Sequence, residues 1–352
     1  MFDKSNVHVK NEFGVPSNLA GPTFAAHAAE QATPMTGAGS EDRLPSVPDA
    51  EVSPGRLRES VLRLARQYSI ELTPHEALHV ERTGDHVPAG TRVYITWLKN
   101  ADLRATIRTA SRLRRDGMTP VPHLAARAIR DRAQLDALLG ELRGEADVRD
   151  VLVIGGAVVA PAGAFDCTLQ VLETGLLEKH GITSIGVAGH PEGSPDIGEH
   201  ALRTALIEKN AFAQRTSCRL HVTTQFCFAA EPVVAWERAV RRDGNRLGIH
   251  VGLAGLASIP TLIKHARYCG VGASIGVLLR QSTRMFRLAS ATTPGRIVLE
   301  LARAKASDAE SKIETIHYFP FGSFQATAAW ANAVAKGSFD FTDEGNDLVV
   351  AV

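Results

Sequence analysis

From residue 60 onward, the chain alternates short apolar runs with longer stretches of helical character, and this alternation restricts its fold more than any other feature. Eight runs have the length and the β-branched content of buried strands: YSIELT, RVYITWL, TPVPHLA, DVLVIGG, ITSIGVAG, RLHVTTQFCF, GIHVGLAG and TIHYFPF. The stretches between them, such as ADLRATIRTASRLRRDG, are long enough for crossover helices. Because strands joined by helices form parallel sheets, and eight such units close on themselves, the pattern predicts a (β/α)8 barrel.

An open, doubly wound sheet is the alternative interpretation of the same alternation. Sheets of that kind that bind dinucleotides carry a G-x-G-x-x-G turn after an early strand, and this chain has no such turn there. Its 352 residues also exceed the roughly 250 residues of a typical barrel, which leaves room for an extension. We therefore predict an α/β fold, a (β/α)8 TIM barrel with an irregular N-terminal extension.

The first 55 residues differ in composition from the rest of the chain. The stretch PSNLAGPTFAAHAAEQATPMTGAGSEDRLPSVPDA is rich in Ala, Pro, Gly, Ser and Thr and has no clear periodicity. Such a composition predicts an irregular or disordered arm, and a regulatory segment is the alternative. Residues 1–55 are therefore assigned to the arm and residues 56–352 to the barrel, which is the predicted catalytic domain.

Charge and cysteine content exclude several classes of protein. The 39 basic and 38 acidic side chains leave no electrostatic surface for nucleic acid or for an anionic membrane. No apolar stretch has membrane-spanning length, and no secretory signal begins the chain. The four cysteines are scattered and form no C-x-x-C pair, which argues against a zinc site and favours a cytoplasmic location.

Polar residues at the ends of the predicted strands are the candidate functional residues, because barrel active sites gather at the carboxyl ends of the strands. Glu71 interrupts an apolar run, and burial can raise the pKa of such a carboxyl so that it acts as a general acid or base. A structural carboxylate is the alternative. The amide of Gln225 both donates and accepts hydrogen bonds, which suits the edge of a pterin or a flavin, although an amide satisfied within the core is equally consistent.

Glycines and histidines also occur at the strand ends. The segments VIGGAVVAPAG, VAGHPEGSP and VGLAGLAS allow backbone amides to approach a ligand closely, but tight βα turns use glycine in any case. His123, His190 and His317 have no Asp or Glu at ligand spacing, so no metal site is predicted.

The order of these strand ends resembles that of the methylenetetrahydrofolate reductases. SIELTP resembles the family's S-F-E-F-x-P-P, VPHLAAR resembles P-H-L-T-C, and VLVIGGA stands where the family has L-R-G-D. IGVAGHPEGSPD is similar to I-G-V-A-x-Y-P-E-x-H-P-E, VTTQFCF to I-T-Q-x-F-F, and IHYFPF to H-F-Y-T-L-N. The similarities follow the family order from about residue 60 to about residue 335.

The resemblance implies a flavin-dependent oxidoreductase of one-carbon metabolism that serves methionine biosynthesis. It would interconvert 5,10-methylenetetrahydrofolate and 5-methyltetrahydrofolate. In this family FAD lies at the carboxyl end of the barrel, and a nicotinamide and the folate take turns on the same flavin face. The implied cofactor is therefore FAD, the partners are a tetrahydrofolate derivative and NADH or NADPH, and the protein is expected to be a homo-oligomer.

By the same resemblance, Glu71 is the catalytic acid that helps protonate the folate. Gln225 is the residue that hydrogen-bonds both alternating ligands, and Thr261 and Ser323 fall at two further substrate-binding positions. The implied cofactor-binding residues are Thr96, Trp97, His123, Gly155, Gly156, Ala157, Ala188, His190, Ser194 and Lys209.

Six of these positions depart from the family pattern, and the first is His190, where the family usually has a tyrosine. Ala157 replaces an aspartate near the flavin N1, and Gly155 replaces an arginine two residues before it. Ser194, Thr261 and Ser323 replace a histidine, a glutamine and a folate-binding arginine. Loss of a carboxylate near N1 should stabilise the anionic reduced flavin and raise its potential.

These departures leave several functions open. The chain is a reductase with altered kinetics, an enzyme that runs chiefly in the oxidative direction, or a non-catalytic or regulatory paralogue that binds folate or flavin. An unrelated TIM-barrel lyase is the last alternative. Such a lyase needs a Schiff-base lysine at a strand end, and Lys99 is its one candidate.

Overall fold

The structure is a computed structural model, and it describes residues 52–97, 102–156, 158, 160–269 and 291–351. Eight parallel strands close into a barrel in which each strand pairs with the next one along the chain, and the last pairs with the first. The strands are β1 (Ser69–Leu72), β2 (Arg92–Ile95), β3 (Thr119–Ala125), β4 (Asp150–Ile154), β5 (Ser184–Gly189), β6 (Arg219–Cys227), β7 (Gly248–Ala254) and β8 (Ile313–Phe319). The predicted (β/α)8 barrel is confirmed.

Helices surround the barrel, and two short antiparallel ladders accompany them. The ladders pair Ala257–Ser258 with Ala291–Thr292, and Phe339–Phe341 with Leu348–Val350. The helices are α1 (Pro54–Ala65), α2 (Pro74–Ala77), α3 (Leu103–Arg115), α4 (Arg132–Ala146), α5 (Thr168–Leu172), α6 (Leu176–Lys179), α7 (Glu199–Ala213), α8 (Ala230–Arg242), α9 (Ile259–Cys269), α10 (Gly295–Ser307) and α11 (Phe324–Lys336). Within the described ranges, none of the helices has both the length and the apolar character needed to cross a bilayer.

Helix α1 precedes the first strand and packs against α10. Its buried face includes Leu57 and Val61, and Ser60 donates a hydrogen bond of 2.8 Å to the carbonyl of Ala302 in α10. The first residue of α1 is Pro54, and residues 1–51 lie outside the described residues. The irregular arm, with its boundary at residue 55, therefore stays a prediction.

The main hydrophobic core lies between the strands and the helices. Ile70 and Leu72 of β1 belong to it, as do Val93 and Ile95 of β2, and all four are almost fully buried. Because side chains alternate along a strand, the residues between these positions face the barrel interior. Arg92 and Tyr94 of β2, like Glu71 of β1, thus belong to the interior.

The barrel interior is unusually polar for this fold, whose central layers are typically filled by Val, Ile and Leu. Its apolar part is a small cluster formed by Tyr94, Val121, Leu152 and Ile154. The buried polar residues that alternate with the core positions of the other strands are Ser69, His123, Ser184, His221, Thr223, His250 and His317. This composition places titratable groups along the barrel axis as well as at its mouth.

Candidate active site

Glu71, the predicted acid, lies near the carboxyl end of β1 between two imidazoles. Its Oε1 atom is 3.3 Å from Nε2 of His317 and 3.4 Å from Nε2 of His123. The strand register brings these groups together, because Ser69 pairs with His317 across β1 and β8. Only 12% of the Glu71 side chain is exposed, so the carboxylate has little contact with solvent.

His317 connects Glu71 to a buried serine. Its Nδ1 lies 2.8 Å from the hydroxyl oxygen of Ser69. Burial lowers the pKa of His317 more than the neighbouring carboxylate raises it, which favours the neutral ring. With Glu71 ionised, the arrangement that satisfies every atom has Nε2–H donating to Glu71 and the Ser69 hydroxyl donating to Nδ1.

The pKa of Glu71 is lowered, which corrects the sequence-based expectation of a raised value. Burial alone raises the pKa of this carboxyl, but the contacts with His123 and His317 outweigh burial and lower it to about 2. The sequence showed an acid in an apolar run and therefore predicted the desolvation effect alone. In the free protein Glu71 is consequently a carboxylate.

Gln225 sits in a bulge of β6. Thr223 pairs with His250 and Phe226 with Gly252, so that two residues of β6 oppose a single residue of β7. The hydroxyl of Thr224 accepts a 2.8 Å hydrogen bond from the Gly252 amide and donates one of 2.8 Å to the Gln225 carbonyl. Bulges redirect side chains and are common beside active sites, and Gln225 is half-buried here.

Gly252 makes this bulge sterically feasible. A Cβ atom at residue 252 would lie 2.5 Å from the Thr224 carbonyl oxygen and 2.7 Å from Cε2 of Phe319. We expect Gly252→Ala to lower the free energy of unfolding by about 1–3 kcal/mol, the usual cost of overpacking. Urea denaturation monitored by circular dichroism measures this loss.

The matched control is Gly144→Ala in α4, where an added Cβ would meet no atom within 4 Å. That change should be neutral or should stabilise the helix by roughly 0.5–1 kcal/mol. Equal stability of the two variants would show that β6 adjusts freely around residue 252.

Aromatic side chains lie at the ends of β6 and β8. Phe226 and Phe321 have ring centroids 4.9 Å apart, and Phe319 lies 4.8 Å from the ring of His317. Phe321 also stacks on His265 at 4.2 Å. We call Phe226, Phe228, Phe319 and Phe321 the aromatic wall, and His317 joins it to Glu71.

One residue of the aromatic wall has an unusual backbone conformation. Phe321 has φ of 51°, in the left-handed region that bulky residues rarely adopt. Such outliers persist where the surrounding structure demands them and concentrate at functional sites. The conformation holds the Phe321 ring against His265.

His190 and Lys209 form a second group, beyond the end of β5. Burial, reinforced by Lys209, lowers the pKa of His190 from 6.5 to about 4. Lys209 in α7 is only 8% exposed, and burial lowers its pKa as well. Among the described residues, no carboxylate lies within ion-pairing distance of the Lys209 amino group.

The residues predicted on β2 and β4 lie at the carboxyl ends of those strands. Thr96 and Trp97 follow β2, and the Thr96 hydroxyl is buried without a hydrogen-bond partner in the described part of the chain. Trp97 packs partly against the main core. Gly155 and Gly156 follow β4, and Gly156 has φ of 94° with an added Cβ only 3.1 Å from Cβ of Ala125.

The remaining predicted residues have less distinctive surroundings. Ala188 is the half-buried penultimate residue of β5, and the Ser194 hydroxyl accepts a hydrogen bond from the amide of Asp196. Thr261, in the first turn of α9, exchanges a 2.9 Å hydrogen bond with Ser258. Ser323 directly precedes α11. Ala157 and Lys99 lie outside the described residues.

Sequence reasoning did not identify the polar residues deeper in the barrel. Tyr94, His221 and His250 are each no more than 3% exposed and lie deeper in the barrel than the strand ends. The sequence does indicate them, because polar residues occur at alternate positions of RVYI, RLHV and GIHV. No group of three or more His, Cys, Asp or Glu residues in the described ranges is arranged to hold a metal ion.

Comparison with known proteins supports the fold. No family model matches the chain. An uncharacterised protein from Clostridium thermocellum, which binds two copies of 5-methyl-5,6,7,8-tetrahydrofolic acid, superposes with a TM-score of 0.50 at 12% sequence identity, covering 80% of this chain and 99% of that one. The two proteins share a fold. The barrel that the family resemblance implied is therefore found in a known methyltetrahydrofolate-binding protein.

A second solved structure resembles the chain much less. A single-residue variant of the actinorhodin polyketide ketoreductase, with NADPH, has a TM-score of 0.23 at 19% identity, with coverage of 62% of this chain and 92% of that chain. A similarity this low has no bearing on the function.

Proposed function

We propose that this chain binds a reduced folate at the carboxyl end of its barrel and, with FAD, interconverts 5,10-methylenetetrahydrofolate and 5-methyltetrahydrofolate. The observation that carries the proposal is the buried Glu71 carboxylate, held by two imidazoles and connected through His317 to the aromatic wall. The same-fold protein that binds 5-methyltetrahydrofolate supports the substrate class. NADH or NADPH is the proposed electron donor, and a cytoplasmic homo-oligomer is part of the same proposal.

The mouth of the barrel suits a flat heterocycle with polar edges. Phe319 and Phe321 of the aromatic wall are partly exposed, and planar rings stack on aromatic side chains of this kind. The half-buried amide of Gln225 both donates and accepts hydrogen bonds, as the edge of a pterin requires. Thr261 and Ser323 are assigned to the remainder of the folate, in keeping with their positions in the segments that follow β7 and β8.

The residues near β5 fit a flavin dinucleotide. Lys209 is a buried amine without a carboxylate partner among the described residues, and a diphosphate would supply the negative charge that favours its protonated form. His190, neutral over most of the pH range because its pKa is about 4, can donate one further hydrogen bond. The partnerless hydroxyl of Thr96 is available to a polar group of the flavin. When bound, FAD supplies hydride transfer.

The proton needed to open the methylene bridge is assigned to the Glu71 site. In the free protein the carboxyl is ionised, because the two imidazoles lower its pKa to about 2. A bound pterin that displaces one imidazole from Oε1 of Glu71 would remove part of the effect that lowers the pKa of this carboxyl. Burial would then raise the pKa of Glu71 towards the range of a general acid. His317, with Nε2 3.3 Å from the carboxylate, would keep the carboxyl group oriented, and the proton itself would be taken up from solvent.

Equilibrium binding of 5-methyltetrahydrofolate to the purified full-length protein tests this function, together with chromatography of the flavin released on denaturation. We expect bound FAD and measurable folate binding, which Gln225→Ala should weaken at least about tenfold because a buried ligand edge then lacks its partner. Gln67→Ala, at an exposed position ahead of β1, is the control. A protein that binds no folate even after reconstitution with FAD contradicts the proposal.

A folate-binding protein without turnover is the second candidate. The observation that favours it is Ala157, which stands where the resembled family has an aspartate. In that case folate would bind, and Gln225→Ala would weaken it, but neither NADH nor NADPH would reduce the flavin and 5-methyltetrahydrofolate would not be oxidised. Stopped-flow absorbance of the flavin distinguishes the two candidates.

A further inference from the structure

Tyr94 lies against the Glu71 site without taking part in its hydrogen bonds. It pairs with Glu71 across β1 and β2 and is fully buried. Its ring centroid is 4.4 Å from that of His317 and 6.0 Å from that of His123. One aromatic ring thus contacts both imidazoles that hold the carboxylate.

The hydroxyl of Tyr94 is hydrogen-bonded to His221 of β6. The Tyr94 oxygen lies 3.0 Å from Nε2 of His221. Burial raises the pKa of Tyr94 to about 12, whereas burial and the neighbouring His250 lower the pKa of His221. Near neutral pH both groups are therefore uncharged, and the Tyr94 hydroxyl donates to an unprotonated Nε2.

His221 is itself held by its neighbours in the interior. Its ring stacks on that of His250 at 4.1 Å, and Nε2 of His250 lies 3.8 Å from Oε2 of Glu314. A Cβ atom at Gly186 would lie 3.0 Å from Nε2 of His221, so the glycine leaves room for this ring. The other charged groups that act on this set are Arg92 of β2, Asp150 of β4 and Arg219 of β6.

We propose that Tyr94 is a positioning residue, and that its hydrogen bond to His221 fixes the ring which holds His317 and His123 against Glu71. Tyr94 would then set the protonation of the site through the two imidazoles, without contacting the ligand. This inference concerns the free protein and does not depend on the identity of the substrate.

The physical reason is that the Tyr94 ring restricts the rotation of the two imidazoles. His317 keeps Nε2 directed at Glu71 through the bond between Nδ1 and Ser69 and through the Tyr94 ring beside it. Without that ring, rotation of the imidazoles becomes easier, which weakens the hydrogen bond of His317 and the contact of His123 with the carboxylate. Because those contacts lower the pKa of Glu71, their loss raises it.

The experiment compares Tyr94→Phe, which keeps the ring and loses the hydroxyl, with Tyr94→Leu, which loses the ring. Nitrogen NMR at neutral pH reports the tautomer of His317, and carbon NMR of labelled glutamate reports the titration of Glu71, with signals assigned from the His317→Gln and Glu71→Gln proteins. Tyr318→Phe is the matched control, because Tyr318 is a fully buried tyrosine whose hydroxyl has no hydrogen-bond partner in the described ranges.

We expect the unchanged protein to show a single His317 tautomer with the proton on Nε2. In Tyr94→Leu we expect a mixture of tautomers and a Glu71 titration midpoint that is higher by about one to two pH units. Tyr94→Phe should show a smaller shift in the same direction, and Tyr318→Phe should match the unchanged protein.

Two results would overturn the inference. If Tyr94→Phe keeps both signals of the unchanged protein, the bond to His221 does not fix the ring. Because the phenylalanine variant is nearly isosteric, this comparison stands even if Tyr94→Leu fails to fold. If Tyr318→Phe changes the His317 and Glu71 signals as much as Tyr94→Phe does, then loss of the hydroxyl from any buried tyrosine of the barrel changes them, and Tyr94 has no specific role. Failure of folate or flavin binding alters neither readout.

Discussion

Glu71→Gln is expected to slow the folate half-reaction at least about a hundredfold, the usual effect of losing a general acid. Hydride transfer from a nicotinamide to the flavin requires no proton from this side chain, so that half-reaction should keep its rate. Flavin content should also be retained, because glutamine is nearly isosteric with glutamate. Stopped-flow absorbance of the flavin, recorded separately with a nicotinamide and with 5-methyltetrahydrofolate, measures both half-reactions.

Glu81→Gln, at an exposed position beyond the same strand, is the control for a neutralised carboxylate and should leave both half-reactions unchanged. If Glu71→Gln slows the two half-reactions equally, or slows neither, the acid lies elsewhere. His317 is then the next candidate, since its Nε2 is 3.3 Å from Glu71.

The same substitution should lower the stability of the protein. A carboxyl with a pKa of about 2 in the folded state, compared with 4.5 in the unfolded chain, contributes on the order of 3 kcal/mol. This contribution is fully present above about pH 4.5 and is lost as the pH falls through about 2. Glu71→Gln should therefore remain folded at neutral pH but unfold at a lower urea concentration.

Lys209→Met is expected to weaken flavin binding by roughly tenfold to a hundredfold, since a hydrogen bond to a charged group contributes about 1.5–3 kcal/mol. The free protein should become no less stable, and burial of a methionine should even stabilise it. The reason is that Lys209, only 8% exposed, is desolvated in the fold without a carboxylate partner among the described residues. Flavin titration and urea denaturation of the flavin-free protein measure the two effects.

Lys336→Met, at an exposed position in the last turn of α11, controls for the loss of a positive charge. Unchanged flavin affinity in Lys209→Met would contradict the proposal that the Lys209 amine binds the diphosphate. Lower stability of the flavin-free variant would show instead that Lys209 has a structural role in α7.

The barrel could be predicted from the sequence because its strands read as short runs rich in apolar and β-branched residues, separated by helical stretches. DVLVIGG and ITSIGVAG contain β4 and β5 in full. The helical stretches between such runs restrict the topologies in which the strands can be connected. Only composition supported the assignment of residues 1–55 to an arm. Composition indicates that a segment does not form a core, but it does not predict which structure the segment adopts.

Part of the candidate site could also be predicted. Glu71 and Gln225 stood out because each is a polar residue in an apolar run at a strand end. The pKa of Glu71 could not be predicted, since its direction depends on His123 and His317, which are 52 and 246 residues away along the chain. Tyr94 and His221 could not be paired either, because alternation shows which face a residue occupies but not its neighbour across the barrel.

The bulge in β6 also determines which side chains of this strand face the barrel mouth. Before the bulge, His221 and Thr223 face the interior, whereas after it Phe226 and Phe228 line the mouth and Cys227 packs into the main core. Because side chains alternate with a period of two, one inserted residue reverses the orientation of everything that follows it in the strand. Without the extra residue, Cys227 would face the barrel interior and Phe226 and Phe228 would face the core, so the bulge accounts for the two phenylalanines at the mouth.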